Sequence, residues 1–318
     1  MKLVEKLLDK TQPIIFYELL PPTDHAKPTS LEAYIECAMD LLIDSPVVID
    51  AVNIPDVREE EINGDLDKDK FVPKIPSGYF AKMLEQGSYQ HLEVILNHCT
   101  VYEPWPEQKK WLKSIHDLAI GSLILVGGSS SKIHYPGPSV IEMADYIQEN
   151  YHDILLGGIT IQSRRKSDPM QDEPFRIYTK SLHGLEYFTS QIVYDAVSVK
   201  LLLRDYANLC REKGVAPKRI ILSFAPISTK KDLEFMRWLG VVVPPSVEEY
   251  LFKADMGIGW RSAKVATNLF QDILQFMRDS NIAIPIGLNI EHITRHNFEI
   301  SIQFLERLGG LYYRYSGR

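Results

Sequence analysis

The sequence predicts an α/β fold, a (βα)8 barrel, and three observations carry that reading. Eight short apolar runs punctuate the 318-residue chain. Each run is followed by a segment with helical periodicity. The runs are continuous rather than alternating, as in strands buried on both faces of a parallel sheet. Eight β-α units with right-handed crossovers close most naturally into a barrel. An open doubly wound sheet is the competitor, and no G-x-G-x-x-G follows the first strand to support it. Residues 1–318 are read as one barrel domain with a short helix in front.

The elements run in order. Residues 2–9 form a short amphipathic helix that can cover one end of the core. The first strand is 14–20, in Ile14-Ile15-Phe16-Tyr17-Glu18-Leu19-Leu20, and Pro21-Pro22 stops it because proline lacks a donor N–H. Thr29-Ser30-Leu31-Glu32 reads as a capping box opening a helix to about Ile43. Val47–Ile54 is the second run, and 56–77 is polar and loop-like. A helix near 78–87 precedes the run Leu92–Cys99, and one near 106–118 precedes Ser122–Gly128. Pro138–Tyr151 is helical, Ile154–Ile161 is the fifth run, 163–172 is a charged loop, and Glu173–Leu185 is helical. Tyr187–Tyr194 is the sixth run, followed by a helix at 196–213 closed by Gly214. Arg219–Ala225 is the seventh, with a helix at 229–239 and further helical sequence over 246–280. Ile284–Ile293 is the eighth, and the last helix is about 296–308.

Composition narrows the function classes. A net charge of −7 argues against a nucleic-acid footprint. No apolar run approaches the length of a membrane span, and the N-terminus lacks the apolar core of a signal peptide. Three widely spaced cysteines, Cys37, Cys99 and Cys210, suit a reducing cytoplasm better than a disulfide framework.

In a (βα)8 barrel the chemistry sits at the C-terminal ends of the strands. Those ends carry Glu18, Asn53 and Asp56, Asn97-His98-Cys99-Thr100, Gly127-Gly128-Ser129, Thr160-Ile161-Gln162, Gln191 and Asp195, Ser228 and Asp232, and Glu291-His292. This is a polar ring of modest charge. Glu18 lies among apolar neighbours, where burial raises a carboxyl pKa and makes it a usable general acid. A structural salt bridge is the plainer alternative. The Gly/Ser stretch after the fourth run suits a phosphate or ribose, or is a simple linker. Arg176 and Lys180 lie one turn apart and suit a phosphate, or form a solvated face. His98 is a ligand contact or a core histidine. His292 and His296 are spaced to share a helical face, but no familiar metal-site pattern accompanies them.

At these positions the chain resembles the methylenetetrahydrofolate reductase family. Phe16-Tyr17-Glu18-Leu19-Leu20-Pro21-Pro22 is similar to its F-E-x-x-P-P start, and Asn97-His98-Cys99-Thr100 to its P-H-L-T-C segment. Phe188-Thr189-Ser190-Gln191-Ile192-Val193-Tyr194-Asp195 is similar to its F-x-x-T-Q-x-x-F-D segment. The resemblance implies a (βα)8 barrel that passes hydride from NAD(P)H through FAD to methylenetetrahydrofolate. It makes Glu18 the general acid that opens the substrate ring, and Gln191 a pterin contact. Asp232 falls where the family has a second substrate-side glutamine. His98, Thr100, Thr160 and Gly127-Gly128-Ser129 match positions around the flavin, with Arg176 and Lys180 near its phosphates. The family's Arg-Gly-Asp after strand four is Gly127-Gly128-Ser129 here, so its aspartate is missing, as is the tyrosine after strand five. Two enzyme readings follow: a flavin-dependent reductase, and a flavin-independent folate enzyme working in one-carbon transfer with a methyltransferase partner. A homo-oligomer is compatible with either. A third reading, a binding barrel without chemistry, leaves the acid at Glu18 without a purpose.

Overall fold

Strand β1 (Ile15–Glu18) hydrogen-bonds β2 (Ala51–Ile54) on one side and β8 (Ile286–Glu291) on the other, so the sheet closes on itself. The computed structural model describes residues 1–58, 72–86, 92–128, 133–254, 257–292 and 295–317. Between β2 and β8 run β3 (Glu93–Cys99), β4 (Ser122–Val126), β5 (Leu155–Thr160), β6 (Leu185–Ser190) and β7 (Arg219–Phe224). All eight pair in parallel, in sequence order, as the apolar runs predict.

One helix precedes β1, others fill the crossovers, and one follows β8. They are α1 (Leu3–Leu8), α2 (Pro28–Ile43), α3 (Ser77–Gln86), α4 (Trp105–Asp117), α5 (Val140–Asn150) and α6 (Glu173–Leu182). After them come α7 (Ala196–Lys213), α8 (Lys230–Trp238), α9 (Pro245–Leu251), α10 (Ile258–Asp279) and α11 (Phe298–Ser316). Among the described residues, no helix is long and apolar enough to cross a membrane.

Three expectations shift. The Thr29–Glu32 box does not open α2. Lys27 is its cap and Pro28 its first residue, where proline's fixed φ suits a helix start. The sixth strand spans 185–190 rather than 187–194. Ile192 and Tyr194 pack instead with Leu233, Met236, Val241 and Leu251 in a satellite core under α8 and α9. The last helix begins at Phe298 and runs to Ser316, past Gly309-Gly310. Gly309 serves a close approach, since a Cβ there would lie 2.4 Å from a Val47 methyl carbon.

Strand alternation sorts side chains into two cores. Outward residues such as Tyr17, Val52, Leu96, Leu288 and Ile290 pack against the helices. Inward residues Ile14, Phe16, Ala51, Ile95, Ile124, Tyr187 and Ile221 fill the barrel, and Leu3 and Leu7 of α1 cover its N-terminal end. Arg219 holds that cover down. Its buried guanidinium donates to the carbonyls of Lys6, Leu7, Asp9, Gln12 and Ile286 at 2.6–3.5 Å. Cationic donors suit the C-terminal carbonyls of a helix.

Candidate active site at the barrel mouth

The inward layer changes character toward the C-terminal ends of the strands. Two residues beyond Phe16, Ala51, Ile95, Tyr187 and Ile221 stand Glu18, Asn53, Asn97, Thr189 and Ser223. On β8 the same face carries Asn289 and Glu291. An apolar barrel interior thus ends in a polar layer at the mouth, where the fold places chemistry.

Glu18 and Glu291 are paired in register across the β1–β8 seam. Asn53 Nδ2 donates to Glu18 Oε2 at 2.9 Å. Asn289 Nδ2 donates to Ser223 Oγ at 3.0 Å and more weakly to Glu291 Oε1 at 3.4 Å. Among the described residues, neither carboxyl forms an ion pair. Both keep a small opening to solvent, yet protein surrounds them. Burial pushes the Glu18 carboxyl well above the ordinary carboxylate range, and the charge of Glu291 pushes it further, against the Asn53 hydrogen bond. Burial also raises Glu291, opposed by hydrogen bonds from Ser223 and Asn289.

Acceptors without partners surround this pair. Asn53 Oδ1, Asn97 Oδ1, Thr189 Oγ1 and Asn289 Oδ1 have no hydrogen-bond partner among the described residues. Asn53 and Asn289 are 0% exposed and Thr189 is 3% exposed. Buried polar atoms are normally paired in a folded protein, so this inward layer offers its oxygens to hydrogen-bonding groups that enter the mouth.

The other expected site residues are built into the scaffold. His98 faces outward from β3. Its Nε2 lies 2.6 Å from Gln108 Oε1 and its ring stacks on Trp111 at 3.6 Å. Burial lowers its pKa. It is a core histidine between β3 and α4. Thr100 donates to the Pro138 carbonyl at 2.9 Å. Thr160 is buried on the helix side of β5. A Cβ on Gly128 would lie 2.3 Å from the Tyr135 ring, so that ring occupies the space beside the loop. Gly127 lies against Val140. Ser129 lies outside the described residues.

Lys180 donates to the Ile159 carbonyl at 2.8 Å, and burial pulls its pKa down to about 8. Arg176 and Arg164 lie 3.5 and 3.3 Å from the buried Glu173 carboxylate, which also accepts from the Ile161 N–H. Gln191 donates to the Leu239 carbonyl and accepts from the Ile192 N–H. Asp232 caps α8, accepting from the Ser228 and Thr229 N–H groups, and pairs with His296 at 3.1 Å. The expected helical face shared by His292 and His296 is absent, because His296 sits in a 3-10 turn ahead of α11 and His292 packs edge-on against Phe298.

Of the described side chains assigned to a flavin by resemblance, His98, Thr100, Arg176 and Lys180 engage protein partners, and Thr160 Oγ1 has no hydrogen-bond partner among the described residues. Glu18 faces inside. As placed, His98, Thr100 and Lys180 give their polar groups to protein partners and not to the barrel mouth. The residues that sequence reasoning left without a role are Glu291, Asn289, Ser223 and Thr189. Glu291 is named in the polar ring by the sequence, and counting alternate positions along β6, β7 and β8 finds Thr189, Ser223 and Asn289 on the same inward face.

Comparison with family models and with curated proteins gives no match. Comparison of folds does. An uncharacterized protein from Clostridium thermocellum that binds two copies of 5-methyl-5,6,7,8-tetrahydrofolic acid superposes with a TM-score of 0.76. The match covers 97% of this chain and 99% of that one at 21% identity, and it shows a shared barrel fold. Structures of oxaloacetate acetylhydrolase, one of them with its product oxalate, match more loosely, at TM-scores of 0.47 and 0.44 and 10% identity. Each covers 91% of this chain and 80% of its own.

Proposed function

We propose that the chain binds a reduced folate at the C-terminal mouth of its barrel and serves one-carbon transfer without a flavin of its own, with Glu18 as general acid. The observation that carries this reading is the protonatable Glu18 carboxyl set in a layer of unpartnered acceptors. A tetrahydropterin presents donors along its edge, in its 2-amino group and ring N–H groups. Asn53 Oδ1, Asn97 Oδ1 and Asn289 Oδ1 are acceptors of the complementary kind.

The chemistry follows from the acid. A one-carbon unit on a ring nitrogen leaves more easily when that nitrogen gains a proton. The Glu18 O–H bond breaks, an N–H bond forms, and Glu18 becomes a carboxylate held by Asn53 Nδ2. The acceptor of the one-carbon unit would be a nucleophile on a partner methyltransferase. The binding of 5-methyltetrahydrofolate by the protein from Clostridium thermocellum, which shares this barrel over nearly its whole length, supports the choice of ligand. A reductase using FAD and NAD(P)H is the other reading of the resemblance, and no observation at the mouth favours it.

Equilibrium dialysis of the purified protein against 5-methyltetrahydrofolate tests the proposal. Saturable binding that folic acid, the oxidised form, competes for poorly is the expected result. Retention of no more reduced folate than a control protein would overturn it.

A further inference from the structure

Glu291 has no role in the proposed chemistry, yet it stands beside Glu18 in register on the neighbouring strand. The two stand at matched positions on neighbouring parallel strands, whose backbones are about 4.8 Å apart. Each receives an amide hydrogen from an asparagine, Asn53 for Glu18 and Asn289 for Glu291. Among the described residues, no cationic side chain pairs with either carboxyl, and their hydrogen-bond partners are neutral. β2 contributes Asn53, β7 contributes Ser223 and β8 contributes Asn289, all neutral. Charged and titratable groups near the same strand ends turn elsewhere. Asp56 binds Arg58 at 2.9 Å, Asp232 pairs with His296, and Tyr17 points outward to Ser301; His292, next to Glu291, has its ring edge-on to Phe298.

Two carboxylates in such a place cannot both ionise cheaply. Like charges at short range, in partial burial, favour a state with one proton on the pair. We infer that Glu291 is a positioning residue for the acid: the two carboxyls share one proton across the β1–β8 seam, and ionised Glu291 keeps Glu18 in its protonated form. When Glu18 gives its proton to a ligand nitrogen, two carboxylates are left side by side. That repulsion drives uptake of a proton from solvent through the open mouth and resets the pair. Only the identity of the proton's recipient rests on the folate reading. The shared proton is a property of the ligand-free protein.

The unpartnered oxygens of Asn53 and Asn289 give the pair a second connection to a ligand. Asn53 donates to Glu18, Asn289 donates to Ser223 and more weakly to Glu291, and the oxygen of each has no partner among the described residues. A donor-bearing ligand that engages the asparagines is thereby brought beside the shared proton.

An infrared pH titration of the ligand-free protein, following the protonated-carboxyl C=O band, tests the inference. Wild type should lose the pair's protons in two separated steps, the upper one well above the ordinary carboxylate range. Glu291→Gln should move the upper step down by about one pH unit or more, a tenfold or greater loss of proton affinity at Glu18. Glu18→Gln should remove the upper step and leave the lower one, which keeps the test decisive if the Glu291 variant does not fold. Glu291→Asp should restore two steps. A purely structural Glu291 would change the melting temperature and leave the upper step where it is, and that result would overturn the inference. Calorimetry with tetrahydrofolate on the same samples separates the two ideas. Two steps without tetrahydrofolate binding would sink the folate reading and leave the proton pair standing. Binding with an unmoved upper step would sink the pair alone.

Discussion

Glu18 of β1 and Glu291 of β8 stand side by side, register partners from the two ends of the chain, and among the described residues neither forms an ion pair. Closure of the barrel creates this relationship, because β1 and β8 are neighbours only once the sheet has closed. The native state therefore carries a cost when both carboxyls are charged, and the unfolded chain does not.

That cost has a sign in pH. Both folded-state pKa values lie above the unfolded carboxylate value near 4.5. The native state holds protons more tightly, so stability falls as pH rises from about 4.5 through the folded values. Glu18→Gln removes the penalty. It should raise stability at pH 9 by more than about 1.4 kcal/mol, the value of one pKa unit, and the gain should vanish near pH 4. Calorimetric melting of both proteins at the two pH values checks this.

The asparagines should matter for ligand and little for the fold. Asn53→Ala and Asn289→Ala should each weaken tetrahydrofolate binding by about tenfold, the loss of roughly one good hydrogen bond to a buried group. Dissociation constants from fluorescence titration, with melting temperatures as the control, measure this.

At the opposite end of the barrel, Arg219 should behave the other way. Arg219→Met leaves the carbonyls at the end of α1 without a donor, so it should destabilise the protein by about 2–3 kcal/mol. Tetrahydrofolate affinity should stay within a factor of about two, because the guanidinium lies beneath the apolar layer that separates it from the mouth.

The purified protein should show no flavin bands, and added FAD should keep the spectrum of free flavin. The expectation rests on His98 stacked on Trp111, Thr100 bonded to Pro138, and Lys180 bonded to the Ile159 carbonyl. A protein-shifted flavin spectrum would mean these groups rearrange to take one.

Much of this was legible in the sequence. Eight apolar runs followed by helical patterns give the barrel, and Pro21-Pro22 places Glu18 near a strand end, because both signals are local. The sixth strand was misplaced because Ile192 and Tyr194 are as apolar as ladder residues, yet they serve a satellite core formed by segments far along the chain. The role of Glu291 was hidden for a related reason. Its partner is set by register across the closing seam, which no local pattern encodes. His98 shows the reverse: its neighbours fit a flavin motif, while strand alternation turns its ring outward onto Trp111. Arg219 at a strand start looks like a surface charge until α1 folds over it.

The most direct test of the account is calorimetric titration of 5-methyltetrahydrofolate into wild type and into the Asn53→Ala/Asn289→Ala double variant. Wild type should bind saturably, and a double variant that still folds should bind about a hundredfold more weakly. No binding by wild type, or equal affinity in the two proteins, would contradict a folate site at the barrel mouth.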